Sequence, residues 1–506
     1  MISKRILARA VRATTRIQPK PSIIAFGGGW DQITPPLFMP SGYARAAQNW
    51  ECDVNGGYSR VLGYERYDGR SLPSDATYSI ISITLTGSIA VGDTVTGVTS
   101  AASAVVIAVA SGYIAVTKVS GTFVSGETLN VSGSPQATTT SAAQAEAASS
   151  TLLNAQYFNL AADEYRDDIS APTGSGSSLG GVRFGGVLYV WRNNAGGTAA
   201  DLWKSSSSGW TAVTLFNEIS FTKGIGTAPA EGSTLTQGAN TATIKRVVLT
   251  SGTWAAGTAA GRLIVTTPAP GSFNGTVPSS VVTMTIAAPC VVTWAAHGLA
   301  NGRTVVFTTT GALPTGLTAG VAYYVVNAAA GTFEVSATSG GASITTTGTQ
   351  SGVHTATASN ATVGTINLTL SGAETAITFA AGGRFKCVVA NFGGSPNTNR
   401  IYGCDGVNRG FEFDGTVLVP ITTGMTTDTP THVYAHKLQL FFSFVGSVQH
   451  AAPGTPYIWS VVTGASEIGM GDTVNGFMSQ PGSESTGALA IFTRNQTSIL
   501  YGTGVA

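Results

Sequence analysis

Charge is what this sequence has least of. Lys, Arg, Asp and Glu together make up 10% of its 506 residues, against about 25% in ordinary globular domains. The two signs nearly cancel, 26 basic against 25 acidic. A chain built to grip a nucleic-acid backbone is strongly basic, so phosphate binding is excluded as its main work. Cysteine is almost as scarce. Cys52, Cys290, Cys387 and Cys404 form no C-x-x-C pair, which excludes a disulfide scaffold and reads as free thiols in a reducing compartment. No uninterrupted apolar run reaches the ~18 residues of a membrane span. The N-terminus lacks the apolar stretch of a secretory signal. Its Arg-rich, acid-free composition imitates an organellar transit peptide, but nothing downstream supports that reading.

Catalytic groupings are also lacking. His297, His354, His432, His436 and His450 are the only histidines. His432 and His436 stand four apart, the metal-binding spacing of a helix, but THVYAHKLQLFF reads as strand and no third ligand is near. The densest acids are Asp163, Glu164, Asp167 and Asp168, with Arg166 among them; they read as a solvated helix end. Glycoside hydrolysis needs a facing carboxylate pair. The segment from Ser205 to Thr211 approaches a sialidase-type repeat but lacks its Asp and misplaces its Trp. AFGGGW lacks the Lys of a phosphate loop. The expectation is no catalytic residue, no cofactor, no metal and no enzymatic activity.

What is present is glycine, hydroxyls and β-branched residues in punctuated runs. YARAAQNWECDVNGGYSRVLGYERYDG predicts two strands around the turn Asn55-Gly56-Gly57, since Asn-Gly and Asp-Gly supply positive φ for hairpins. The same signal recurs at Asp68-Gly69, Asp405-Gly406 and Asp414-Gly415. One helix is expected in QAEAASSTLLNAQYFNLAADEYRDDI, stopping before Pro172. Turn signals every 8–12 residues after 378, and a similar rhythm in GVRFGGVLYVWRNNAGG and DLWKSSSSGWTAVTL, predict the four-stranded blades of a β-propeller.

Three charge-poor segments interrupt that rhythm. Residues 84–145 carry only Asp93, Lys118 and Glu127, and residues 277–358 only Arg303 and Glu334. Residues 223–276 echo the first: Gly92, Gly97, Gly112, Gly121 and Phe123 find counterparts in Gly232, Gly238, Gly261, Gly271 and Phe273. The expected fold is all-β, a propeller-like body with inserted small β-sandwich or barrel modules and one short helix. Its parts are a basic arm (1–21), body (22–83), module (84–145), helix and body (146–222), two modules (223–276 and 277–358) and body (359–506). The modules are expected to fold independently at loops that tolerate extra chain.

The arm is the one strongly charged element. Lys4, Arg5, Arg9, Arg12, Arg16 and Lys20 give it six positive charges and no acid, so the remainder is net negative by five against a total of +1. The arginines fall on one face of any helix formed there. Either the arm is a disordered tail, or Lys4, Arg5, Arg9, Arg12 and Arg16 dock it on an acidic neighbour; DNA is the competing partner.

WDQITPPLFMPSGYARAAQNWECDVNGGYSRVLGYERYDG, IYGCDGVNRGFEFDG and IWSVVTGASEIGMGD together resemble tailed-phage virion proteins, in particular the tail nozzle or tail-tube protein of short-tailed phages. The inserted HGLANGRTVVFTTTGALPTGL is similar to add-on modules of phage tail proteins. The resemblance implies a homo-oligomer, a sixfold ring below the portal and adaptor, with tail fibre or needle proteins as neighbours. Double-stranded DNA would pass through it without sequence-specific binding, and the protein would reside in the virion after assembly in the bacterial cytoplasm. It brings no catalytic residues. A second reading is a receptor-binding or adsorption protein with glycan-binding β-modules, in which Trp191, Trp203, Trp210 and Trp254 form sugar platforms. A secreted lectin or glycosidase is the third class.

Overall fold

The computed structural model describes residues 28–46, 50–52, 58–60, 64–394, 398–480 and 487–501. The arm, and with it Lys4, Arg5, Arg9, Arg12 and Arg16, lies outside the described residues, as does the turn Asn55-Gly56-Gly57. The chain divides into two units, Met1–Arg66 and Tyr67–Ala506. In the first, Gly29–Trp30 pairs in parallel with Tyr43–Ala44, and Trp50–Cys52 pairs antiparallel with Tyr58–Arg60. The segment assigned to one body part, 22–83, is therefore divided between the two units.

In the second unit the described residues are all-β apart from one helix and short 3-10 turns. Strands Tyr78–Leu85, Thr94–Gly97, Ser103–Ala110, Tyr113–Ser120, Thr128–Val131 and Ser134–Thr139 close a six-stranded barrel in the order first, fourth, third, second, fifth, sixth. A barrel this small is filled by side chains. Ile81, Val95, Val106, Ile114, Val116 and Phe123 fill it, each worth about 1.5–3 kcal/mol of burial. Tyr78 begins the first strand, so the module starts before residue 84.

Strands Asn217–Ile225, Thr234–Gln237, Asn240–Ser251, Ala259–Val265, Ala361–Val363 and Ile366–Leu370 close a second barrel in the same order. Between its fourth and fifth strands lies a third barrel, running from Ser279–Met284 to His354–Ala358, whose order is first, second, fifth, fourth, third, sixth. The sequence expectation set the second and third modules side by side and gave residues 359–370 to the body. The structure nests one inside the other. The apolar pattern of Ala361, Val363, Leu368 and Leu370 completes the second barrel's core, and barrel closure leaves no open strand edge. The glycine correspondence reflects this shared topology. Gly92 and Gly232 have φ of 91° and 89°, and their amides donate to Val106 and Ile244 at 2.8 Å in each case.

The blades follow the same physical logic. Ser175–Phe184, Val187–Asn193, Ala199–Ser206 and Gly209–Ala212 form one antiparallel meander. Lys386–Ala390 to Leu418–Pro420 and His432–His436 to Ser466–Gly469 form two more, and Val474–Ser479, Leu489–Thr493 and Thr497–Leu500 a three-stranded last sheet. The first strands of successive sheets lie against one another, the arrangement of propeller blades. Trp191 stacks on Phe385 at 4.6 Å between the first two sheets. Asp414-Gly415 makes its hairpin turn, with Gly415 at φ 97° and Asp414 Oδ1 accepting from the Thr416 and Val417 amides at 2.7 Å. Asp68-Gly69 does not. Asp68 is fully buried, accepting from Ser170 N at 3.2 Å, while a Cβ on Gly69 would meet the Ser206 backbone at 2.5 Å.

The helix spans Thr151–Asp168, shorter at its start than the Ala-rich text implied. Ser150 Oγ accepts from Leu153 N at 3.2 Å, an N-cap that fixes the first turn. Upstream, Gln144–Ala145 pairs with the first barrel strand and is lost to the helix.

Candidate functional site: a groove between two barrels

The polar residues singled out in the sequence are mostly engaged in holding the fold. Glu164 and Asp168 hold Lys118 of the first barrel at 3.3 and 2.8 Å, and Asp163 pairs with Arg166. His432 and His436 lie on one strand. His432 Nε2 accepts from Lys386 Nζ at 2.5 Å; burial, with the Lys386 charge beside it, holds its pKa down to about 4. Among the described residues no three of His, Cys, Asp and Glu come together as a metal cluster. The Cys387 thiol, partly buried against the first-blade core, is pushed up to about 12 by burial, which suits an inert thiol rather than a nucleophile.

Of the four tryptophans read as sugar platforms, two are withdrawn from the surface. Trp191 is fully buried and Trp254 is 8% exposed. Trp210 is partly buried and donates Nε1–H to Ser170 O at 2.8 Å. Bulk explains two of them: Trp191 fills the first blade and Trp254 covers the second barrel, while Trp203, like Trp210, stays half-buried on the first blade.

The second barrel meets the second blade through buried charge. Arg246 reaches Glu412 at 2.7 Å and Asp414 at 2.5 Å; its Nε lies 2.7 Å from Glu231, without hydrogen-bond alignment. Burial opposes the Arg246 charge, and these acids, Glu412 foremost, more than compensate and raise its pKa. Glu218 takes Arg262 on one oxygen and Arg409 on the other, the latter at 2.6 Å. A cleft of ≈ 420 Å³ beside Arg409 and Asp428 has its charges satisfied, Asp428 by Thr423 at 2.8 Å. It reads as a packing seam.

A second cavity differs. It occupies ≈ 610 Å³ where the second and third barrels meet, within the usual range of ligand sites. Thr222, Lys223 and Ile225 of the second barrel's first strand line one side, with residues 255–258 beside them; Gly320, Val321, Ala322, Tyr324 and Ala337 of the third barrel line the other. Gly224 makes this wall possible. A Cβ there would meet the Trp254 ring at 2.3 Å, so glycine lets Trp254 lie over the strand, 5.2 Å from Phe221, and carries residues 255–258 to the rim. Thr304 N donates to Asn367 Oδ1 at 3.1 Å, and Asn367 Nδ2 to Gly302 O at 2.9 Å; these bonds join the two barrels near the same place.

Lys223 is the charge in this groove. No carboxylate among the described residues pairs with it, and burial holds its ammonium below the usual range. The sequence named Arg303 and Glu334 but passed over Lys223. Its only local signal was a cation in a segment otherwise of β-branched and apolar residues.

No family model matches the sequence, and no curated protein matches it. Among solved structures the chain is similar to "Phage phi92 endosialidase" at 13% identity and a TM-score of 0.16, covering 66% of this chain and 58% of that one. The match thus spans less than two thirds of that protein, and at this score it carries no argument about fold or activity. Among the described residues no helix is long and apolar enough to cross a membrane.

Proposed function

We propose that this chain is a tail-associated virion protein of a bacteriophage whose propeller-like body carries barrels for adsorption to a host-surface glycan. The carrying observation is the groove between nested barrels, with an unpaired lysine, an aromatic ring and hydroxyls on its walls. Such a mixture suits sugar recognition, in which ring faces meet apolar walls and a few polar groups fix orientation. Support for the phage assignment comes from the resemblance of WDQITPPLFMPSG and IYGCDGVNRGFEFDG to tailed-phage virion proteins. We propose no enzymatic activity, because three of the four clustered acids, Asp163, Glu164 and Asp168, are engaged in ion pairs.

A second reading rests on the successive blades. In it the body forms a sixfold nozzle ring continuing the DNA channel below portal and adaptor. Near-neutral charge would let DNA pass without being held, and the arm from Lys4 to Lys20 would dock subunits. One experiment separates the two. Purified full-length chain is tested for saturable binding to host cells and imaged by negative-stain microscopy. Saturable binding supports adsorption. Rings that bind no cells support the nozzle, and deletion of residues 1–20 that abolishes those rings would assign the arm to docking.

A further inference from the structure

The second barrel departs from its twin at three places, and the departures converge. Its first strand carries a bulge between Phe221 and Lys223 in its pairing with the sixth strand; the first barrel's corresponding strand pairs with its sixth without one. Its third and fourth strands are joined by residues 252–258, where the first barrel uses the tight turn Ser111-Gly112. It also accepts the third barrel between its fourth and fifth strands. All three border the same groove. Bulges re-aim side chains beside binding sites, and this one sets Lys223 opposite Thr369.

From this convergence we infer that the groove binds a carboxylate-bearing saccharide, with the Lys223 ammonium taking the carboxylate and the Tyr324 ring taking a pyranose face. The inference rests on the adsorption reading and names the chemistry of its ligand. A partly desolvated ammonium without a partner is costly in the free protein and is relieved by an incoming anion. The walls around it, Thr222, Ile225, Gly257, Val321 and Tyr324, are uncharged. One cation in neutral walls matches one carboxylate per sugar. A nucleic-acid strand, with a phosphate at each residue, calls for a row of cations. Thr222 and Thr258 place hydroxyls at the edges, where sugar hydroxyls seek partners.

The test uses full-length chain and isothermal titration with tetragalacturonate, tetraguluronate and hyaluronan tetrasaccharide, with maltotetraose as the neutral probe. At least one acidic probe is expected to bind at least about tenfold more tightly than maltotetraose. Lys223→Met is expected to weaken that binding by about tenfold or more, and Lys204→Met in the first blade to leave it unchanged. Val321 is 44% exposed, so Val321→Trp obstructs the groove from its rim without touching a core and keeps the test valid if Lys223→Met misfolds. Absence of acidic-probe binding overturns the inference; so does binding unaffected by Val321→Trp or by a folded Lys223→Met. Cell binding separates the two claims. If the chain adsorbs to cells but binds no acidic probe, the groove inference falls and adsorption stands. If acidic probes bind and Val321→Trp abolishes that binding, while no cell is bound, the groove inference stands and adsorption falls.

Discussion

Two barrels of one topology sit in this chain with different outer surfaces. Strand register aligns them residue by residue: Ile80 with Glu218, Ala108 with Arg246, Tyr113 with Arg262 and Ala115 with Ile264. Both third strands also shift register at the corresponding step, Val106/Ala108 and Ile244/Arg246. Inside, both are mainly aliphatic with a buried Phe after the fourth strand, Phe123 or Phe273, and the second barrel adds Phe221 and Trp254. Outside, they diverge. The first barrel's apolar face is covered by its own helix: Tyr78 meets Tyr157 and Phe158 edge-on at 5.4 and 5.1 Å, and the Tyr113 and Tyr157 hydroxyls lie 3.0 Å apart. The second barrel's face is part charged, with Val248 and Ile264 packing into the blade core and Arg246, Arg262 and Glu218 meeting the blade's Glu412, Asp414 and Arg409. A few outward positions decide what a barrel docks against, while the inward ones keep it a barrel.

The sharpest break is expected at Arg246. Arg246→Ala leaves the buried Glu412 without its nearest cation and should cost about 3–5 kcal/mol, read as a lowered midpoint in denaturant unfolding. Hydrogen exchange should rise in the second barrel and second blade while the first barrel stays protected. The converse change is Tyr157→Ala, which opens the helix–barrel seam. A loss of about 3 kcal/mol is expected, with exchange rising in the first barrel alone. If either variant loosens both barrels equally, their separate anchoring is wrong.

Glu127 offers a smaller, pH-dependent contrast, for the second barrel has Ser359 at the equivalent position, by register. Its carboxylate accepts from the amides of Val124 (2.7 Å), Ser100 (3.0 Å) and Thr99 (3.3 Å). Burial alone would raise its pKa, but these donors outweigh burial and lower it. A depressed carboxyl stabilises above its unfolded value, near 4.3, and that share is lost as pH falls through the folded value. Glu127→Gln should therefore cost about 1.5–3 kcal/mol at neutral pH and less in acid, measured by unfolding at both. The smallest effect is expected from replacing residues 279–358 with a short Gly/Ser linker. The second barrel should stay folded, its midpoint shifting by the equivalent of under ~1 kcal/mol; global unfolding would show that the third barrel belongs to its core.

How much of this was legible in the sequence depended on how local the cause was. Turn glycines such as Gly92 and Gly232 act within a few residues, so their correspondence could be read directly. Charge-poor stretches marked the modules because their β-branched residues alternate over short runs. The return of Ala361–Leu370 to strands begun at Asn217 could not be read, because pairing across an inserted barrel leaves no trace in neighbouring residues. The groove was illegible for the same reason: Lys223 and Tyr324 are a hundred residues apart in sequence and are brought to one cavity by the nesting. The helix start was readable at Ser150 and was overlooked in favour of alanine content, though a cap sets a boundary more firmly than propensity does.

The nesting also sets an order of events during synthesis. Four strands of the second barrel leave the ribosome well before the last two, and the third barrel is made in between. Its ends are neighbours, Ser279 pairing with Thr357 and the Ala358 amide bonding Pro278 O. Once folded, it shrinks a loop of about 95 residues, Val265 to Ala361, to an effective span of about 15, lowering the closure cost by roughly 1.6 kcal/mol. The inner barrel thus acts as a built-in folding aid for the outer one, holding the two chain ends together until Ala361–Leu370 arrives to seal the exposed edges of a half-made sheet.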